Sequence, residues 1–284
     1  MTLSQTTKQI LKSFNIWLNK DLGQHFMIDQ SSVTRIIEAA DISKDDLVLE
    51  IGTGIGTLTK DLCQKAGFVI TNEYDKKFIP VAKEYLKGLE NFELVEEDFL
   101  KIDLDELFSK YKSYKIKKVV ANLPYYITTP IISKLIEHKA SFNLIVMTIQ
   151  REFAHRIVSK PSVKEYGSFT IFANYHCKPM IVCDIPKSSF FTQPAVGSSV
   201  LRLEVLDKPS VEVKDEKLFF NIVHAAFIQR RKMLKNAIEN ANIEGINKEN
   251  ISKAFEKVGI DGKRRGETLS IEEFAKLSDS ISSS

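Results

Sequence analysis

The sequence predicts an α/β protein: a parallel sheet covered on both faces, followed by a small all-α C-terminal domain. Two observations carry this. Between Leu47 and Met147, short β-rich apolar runs (LVLEI, FVITNE, FELVEE, KKVVAN, NLIVMTI) alternate with helix-like segments such as 57–66 and 78–86. Near-continuous apolar strands separated by helices mark a sheet whose two faces are both buried. From Leu218 onward the pattern turns wholly helical, through LFFNIVHAAFIQRRKMLKNAIENA, NKENISKAFEKVGI and SIEEFAKLSDSIS.

The elements follow in order. The first twenty residues carry Lys8, Lys12 and Lys20 but no acid and no Arg. Ile10, Leu11, Phe14, Trp17 and Leu18 fit an amphipathic helix, so 1–20 is expected to be a helical extension packed on the domain. After the sheet region, 151–158 reads as a helix, 169–175 and 180–183 as β-rich, and 196–205 as a strand. The charged stretch 207–215, with Pro209, reads as a linker. The expected division is therefore 1–208 for the sheet domain and 209–284 for the helical one. The Ser-rich end, 278–284, is expected to fray.

Composition narrows the class. The chain has 284 residues, 43% hydrophobic and 27% charged, enough for one large core and a smaller one. A net charge of +3 permits an anionic partner without requiring one. Cys63, Cys177 and Cys183 show no CxxC spacing and read as reduced thiols of a cytoplasmic protein, mostly core filler; an organellar address stays open. Five scattered histidines lack metal-ligand spacing, so no metal is expected. No apolar run approaches the ~20 residues that span a bilayer.

Ligands of such sheets bind beyond the carboxyl ends of the strands. The first strand ends in LEIGTGIGT, where Gly52, Gly54 and Gly56 allow a tight turn and close approach to a ligand. The spacing is GxGxG, which weakens a dinucleotide reading. The second strand ends at Glu73, about 20 residues on, where such folds place an acid on ribose hydroxyls. The third ends near Asp98, placed to accept from an adenine amino group. Singly, each has an ordinary explanation as a turn or a solvated acid; the ordered succession is what points to a ligand. The fourth ends in Asn122-Leu123-Pro124-Tyr125, followed by Tyr126 and a helix start at Thr128-Thr129-Pro130.

In this order, the glycine loop, Glu73, Asp98 and the Asn-Leu-Pro-Tyr tetrad resemble class I S-adenosylmethionine methyltransferases acting on an exocyclic amine of adenine. LGQHFMID (22–29), FFTQPAVGSSVLRLE, AAFIQRRKMLKNAI and VGIDGKRRGETLSIEEFAKL are similar to motifs of the small-subunit rRNA adenine N6-dimethyltransferase family. The likeness runs from Leu22 to the C-terminal end. It implies a Rossmann-like, mostly parallel sheet with an antiparallel last strand. It further implies S-adenosyl-L-methionine as cofactor and methylation of two adjacent adenines in a hairpin loop near the 3′ end of small-subunit rRNA, free or in a pre-assembled small ribosomal subunit, by a monomer.

Site roles follow from the same likeness. His25 and Met27 line the methionine end of the cofactor. The Asn122 side-chain oxygen and Leu123 carbonyl accept hydrogen bonds from the target amine, Pro124 aims that carbonyl, and Tyr125 stacks on the base. Phe190 stacks from the opposite side, with Phe191 as the alternative. Core packing is the expectation for Phe26 and Tyr126. Arg230, Arg231, Lys232 and Lys235 on one predicted helix, with Lys263, Arg264 and Arg265 in a loop, are expected to hold RNA phosphates. The chain departs from the family at Asp21, where a basic residue is usual, and at Ser168, where the family has Arg. Three rivals remain: the large-subunit rRNA adenine methyltransferases of macrolide resistance, a non-catalytic nucleic-acid-binding derivative, and a nucleotide-dependent dehydrogenase.

Overall fold

The computed structural model describes residues 1–19 and 23–283, so Lys20, Asp21, Leu22 and Ser284 lie outside the described residues. The chain begins with α1 (Leu3–Ser13), β1 (Phe26–Met27) and α2 (Gln30–Ala40). Alternation then sets in, with β2 (Asp46–Ile51), α3 (Thr57–Lys65), β3 (Phe68–Asn72), α4 (Ile79–Tyr85) and β4 (Phe92–Val95). It continues through α5 (Leu104–Ser109), β5 (Ile116–Asn122), α6 (Thr128–Glu137), β6 (Leu144–Gln150) and α7 (Arg151–Ile157). The remainder comprises α8 (Ser168–His176), β7 (Cys177–Ile185), β8 (Phe190–Phe191), β9 (Ser198–Val205), α9 (Glu216–Ile228), α10 (Leu234–Asn240), α11 (Lys248–Val258) and α12 (Ile271–Ser282).

Among the described residues the main sheet runs β4-β3-β2-β5-β6-β9-β7. Pairing is parallel from β4 to β6 and antiparallel between β6 and β9. β2 is buried along its whole length, as expected for a central strand covered on both faces. The strand order reverses at β2, with β3 on one side and β5 on the other. The crevice beyond their carboxyl ends is thus the switch point where this architecture binds ligands.

The chain packs as two compact units, 1–154 with 179–205, and 155–178 with 206–284. A single cut near 208 does not describe this. Residues 155–178 belong with the helical unit because Tyr166, Ile171 and Tyr175 sit in its core beside Phe219, Leu269 and Phe274. The stretch 207–215 packs there too, through Val211 and Val213.

Three further expectations change. The Ser-rich end does not fray through 278–282, because Ser278, Ser280 and Ile281 are buried in the last turns of α12. The β-rich stretch 169–175 is helical, within α8. Its aromatic and β-branched composition favours a strand by propensity alone. However, Ile171 and Tyr175, one helical turn apart, both reach the core of the helical unit, and the Gly167 amide donates to Thr170 Oγ1 at the helix start. At the N-terminus, α1 forms behind a Thr2–Gln5 capping box and buries Leu11, as expected, but Asn15 takes a left-handed φ of 51° just beyond it. Trp17 and Leu18 thus lie past the helix, and Trp17 is 83% exposed.

Candidate functional site

A cavity opens beyond the carboxyl ends of β2, β3 and β5, about 1130 Å³ in extent with its mouth included. The turn after β2 forms its floor. Gly52 and Thr53 amides donate to the Asn72 carbonyl, which folds the turn onto the end of β3. The Gly54 amide donates to Glu73 Oε2 at 2.8 Å. Gly54 has φ +56°, and a Cβ there would lie 2.6 Å from the Phe26 ring. The glycine is therefore required both by backbone conformation and by the aromatic packed on it. Phe26 meets Phe78 edge-on in a small core with Leu11 and Ile55, as expected of a packing residue.

Glu73 is 7% exposed and held by three amides, Gly54 on Oε2 and Tyr74 and Asp75 on Oε1. Burial pushes its carboxyl above the usual carboxylate range, against the pull of those amides. Asp98 is half-buried at the wall and caps the turn after β4 through the Leu100 amide.

Glu50 is a further acid of the site that no sequence motif marks. It is fully buried in β2, and its Oε2 accepts from Thr59 Oγ1 at 2.5 Å and Thr71 Oγ1 at 2.6 Å. Its Oε1 has no partner, and the residue lines the cavity. Burial pushes its carboxyl up to about 8, with the two hydroxyls opposing. The available signal was an acid in the otherwise apolar run LVLEI, two residues before the first glycine.

The opening segment is strapped over this floor. β1 pairs antiparallel with β8, setting Met27 against Phe190 and Phe26 against Phe191. Gly23, at φ +63°, lets the chain approach Pro124 so closely that a Cβ would sit 3.0 Å from the proline ring. Gln24 ties the segment to the loop after β3 through Asp75 and Lys77. His25 Nδ1 contacts the Thr192 carbonyl at 2.7 Å. The Asn122 carboxamide NH₂ donates to the His25 carbonyl at 3.2 Å, which turns the side-chain oxygen away from that bond. His25, Met27, Asn122, Leu123 and Pro124 all line the cavity.

The tyrosines divide. Tyr125 is half-buried with its hydroxyl 2.7 Å from Ser198 Oγ, and its ring lies 6.2 Å from that of His25. Tyr126 is not a core residue: it is 56% exposed and lines the cavity. Its hydroxyl lies 3.4 Å from that of Tyr74, which is 52% exposed and also lines the cavity. That hydroxyl contact, with burial, pushes the Tyr74 phenol up to about 12.

None of the rings expected to stack on the base lines the cavity, Tyr125 included. Phe190 is 3% exposed, packed with Met27, Val33 and Ile185, because the pairing with β1 turns it into the core. Phe191 is half-buried beside Leu11 and Phe78, with the Lys8 ammonium 6.0 Å from its ring. Neither phenylalanine lines the cavity.

Charge distinguishes this pocket. Glu50, Glu73, Asp75 and Asp98 line it, and among the described lining residues there is no Lys or Arg. Such a wall opposes a pyrophosphate and suits a ligand carrying positive charge. Among the described residues, no group of three or more His, Cys, Asp or Glu converges as metal ligands.

In the helical unit the predicted basic helix is broken. α9 ends at Ile228, and Arg230, Arg231 and Lys232 occupy the turn before α10, which carries Lys235. The Leu234 amide donates to the Arg264 carbonyl at 2.7 Å and the Lys235 amide to the Gly262 carbonyl at 3.1 Å, so the two basic segments adjoin. Two of the seven cations serve the fold. Arg264 forks onto Glu273 and also donates to Thr268. Arg230 pairs with Glu267 and donates to the Lys164 and Tyr166 carbonyls. Arg231, Lys232, Lys263 and Arg265 are exposed, and Lys235 is half-buried.

Comparison with known proteins places these features in a lineage. A Clostridium botulinum protein named ribosomal RNA small subunit methyltransferase A is 49% identical over 275 residues, covering 97% of this chain and 98% of the relative. A solved dimethyladenosine transferase from Plasmodium falciparum matches with TM-score 0.76 at 28% identity, over 89% of this chain and 96% of that one. The 23S rRNA methyltransferase ErmE shares the fold, with TM-score 0.69 at 23% identity, over 90% of this chain and 99% of that one. The family model described as ribosomal RNA adenine dimethylase matches residues 16–282, and the chain belongs to that family.

Proposed function

We propose that the protein transfers methyl groups from S-adenosyl-L-methionine to the N6 amines of two adjacent adenines near the 3′ end of small-subunit rRNA. The single observation that carries this reading is the acid-lined cavity with Asn122 on its wall and no Lys or Arg among its described lining residues. Glu50 adds a buried acid with an unpartnered Oε1 beside the cavity, which supports a ligand carrying positive charge there. Glu73, with three acceptor sites taken by amides, keeps one on Oε2 for a ribose hydroxyl, and Asp98 would read an adenine amine. The cofactor supplies an electrophilic methyl carried on a sulfonium.

The chain's residues prepare the nucleophile. Adenine's amino nitrogen is weak because its lone pair is delocalised into the ring. The Asn122 side-chain oxygen and the Leu123 carbonyl accept from its two hydrogens and favour the tetrahedral, charge-bearing geometry of the transition state. The bond from Asn122 to the His25 carbonyl orients the carboxamide so that its oxygen is the end left for substrate. Tyr125 carries the extruded base, its plane set by the Ser198 contact. A carboxamide is a poor base, so the proton leaves to solvent after attack. Glu50 stays off the proton path: its hydroxyl partners and complete burial make it a binding group.

RNA is gripped by Arg231, Lys232, Lys235, Lys263 and Arg265, with Arg230 and Arg264 holding the segments that present them. The protein works as a monomer in the cytoplasm. The test is methyl transfer from labelled cofactor to undermethylated small and large subunits, with the product mapped. Label in adjacent small-subunit adenines is expected; label confined to large-subunit RNA overturns the assignment.

A further inference from the structure

Tyr74 and Tyr126 are two large aromatic side chains left more than half exposed while lining one cavity, and they follow β3 and β5, the strands on either side of β2. They come from different strand ends: Tyr74 follows the ribose-side acid Glu73, and Tyr126 follows the tetrad tyrosine. Their hydroxyls approach to 3.4 Å across the mouth. That separation exceeds the 2.7–2.8 Å typical of a hydroxyl pair, so the contact is weak and easily parted. Neighbouring contacts are short by comparison. Glu73 holds the Tyr74 amide at 3.0 Å, and the Pro124 carbonyl accepts from Thr128 Oγ1 at 3.1 Å. Each tyrosine thus hangs from a fixed backbone and meets the other only through its tip.

We infer that Tyr74 and Tyr126 form a latch over the adenosine end of the cofactor cavity, which retains the cofactor during a transfer and parts to exchange it between transfers. The inference rests on the reading of this cavity as the cofactor site. The chemistry requires such an exchange, since dimethylating one amine consumes two cofactor molecules. Tyr126 adjoins Tyr125, so the latch also couples cofactor retention to the segment that holds the base. Both residues act as positioning groups: they touch neither the methyl group nor the target amine.

The test compares Tyr74→Phe, Tyr126→Phe and the double variant in the full-length protein. Each keeps its ring and loses only the hydroxyl contact. Release of labelled S-adenosylhomocysteine is followed by a chase with excess unlabelled ligand. Single-turnover methylation at saturating cofactor and the cofactor KM are measured alongside. Each single variant is expected to release S-adenosylhomocysteine about two- to threefold faster, the low end of the factor carried by one net hydrogen bond, because the contact is long. The cofactor KM should rise, and the single-turnover rate should stay within about twofold. The double variant should match the singles, because one shared contact is lost in all three. Wild-type release rates overturn the latch, as does a slower single turnover with unchanged KM. Failure of the wild-type protein to bind S-adenosylhomocysteine at all would instead overturn the cavity reading.

Discussion

Replacing Glu50 with Gln tests how the protein holds a buried acid. The side chain is fully buried, and its carboxyl is pushed from 4.5 up to about 8. A carboxyl whose folded value lies above its unfolded value contributes stability that is complete below the unfolded value and lost as pH rises through the folded one. Between pH 4.5 and about 8, wild-type stability should therefore fall by about 1.4 kcal/mol per pH unit from this group, or about 4–5 kcal/mol across the window. Glu50→Gln removes that dependence. Its carbonyl keeps the Thr59 and Thr71 bonds, while its NH₂ takes the unpartnered position at a pH-independent cost of about 1–3 kcal/mol. The variant should thus be less stable than wild type near pH 5 and at least as stable near pH 8. Urea denaturation of ligand-free protein at a series of pH values, at fixed ionic strength, measures the difference. Glu73, also raised by burial, is present in both chains and largely cancels. Parallel stability curves, or a difference growing in the opposite direction, would refute the reasoning.

Asn122→Ala should lower the single-turnover rate by about 10²–10³-fold, the scale of one lost transition-state acceptor. Its loss of the His25 contact should weaken cofactor binding by no more than about threefold; isothermal titration and rapid-quench assays separate the two. Gly54→Ala places a methyl against the Phe26 ring at a positive φ and should weaken cofactor binding about tenfold or more, measured by the same titration. Arg264→Ala removes the fork onto Glu273 and should destabilise folding by about 1–2 kcal/mol in urea titrations. Arg231→Ala or Lys263→Ala should leave stability unchanged and lower the slope of log affinity for small-subunit RNA against log salt by about 1 each.

How much of this was legible beforehand follows from the range of the forces involved. Strands β2, β3, β5 and β6 were readable because burial on both faces demands apolar runs, the half-buried edge strand β4 followed from its place in the alternation, and the ligand loops followed because strand ends in such a sheet carry them. Gly52, Gly54, Glu73, Asp98 and Asn122 lie at or just beyond strand ends and line the cavity, whereas Gly56 starts α3 against Leu86, outside the lining. Glu50 was not legible because an acid within an apolar strand carries no periodic signal; only its unpartnered oxygen beside a cavity marks it.

What the sequence by itself determined was the alternation of elements, the order of the motifs and the residue chemistry at each strand end, since these depend on neighbours a few positions away. Tertiary structure decided everything that depends on distant partners. It made 169–175 a helix, because Ile171 and Tyr175 had a core to fill. It turned Phe190 inward through the pairing of β8 with β1. It assigned Arg230 and Arg264 to intramolecular carbonyls and carboxylates while leaving Arg231 and Arg265 exposed. And it brought Tyr126, by sequence a packing residue, to within 3.4 Å of Tyr74 across a cavity mouth. Local pattern sets which side chains are available, and only the long-range packing sets which of them meet.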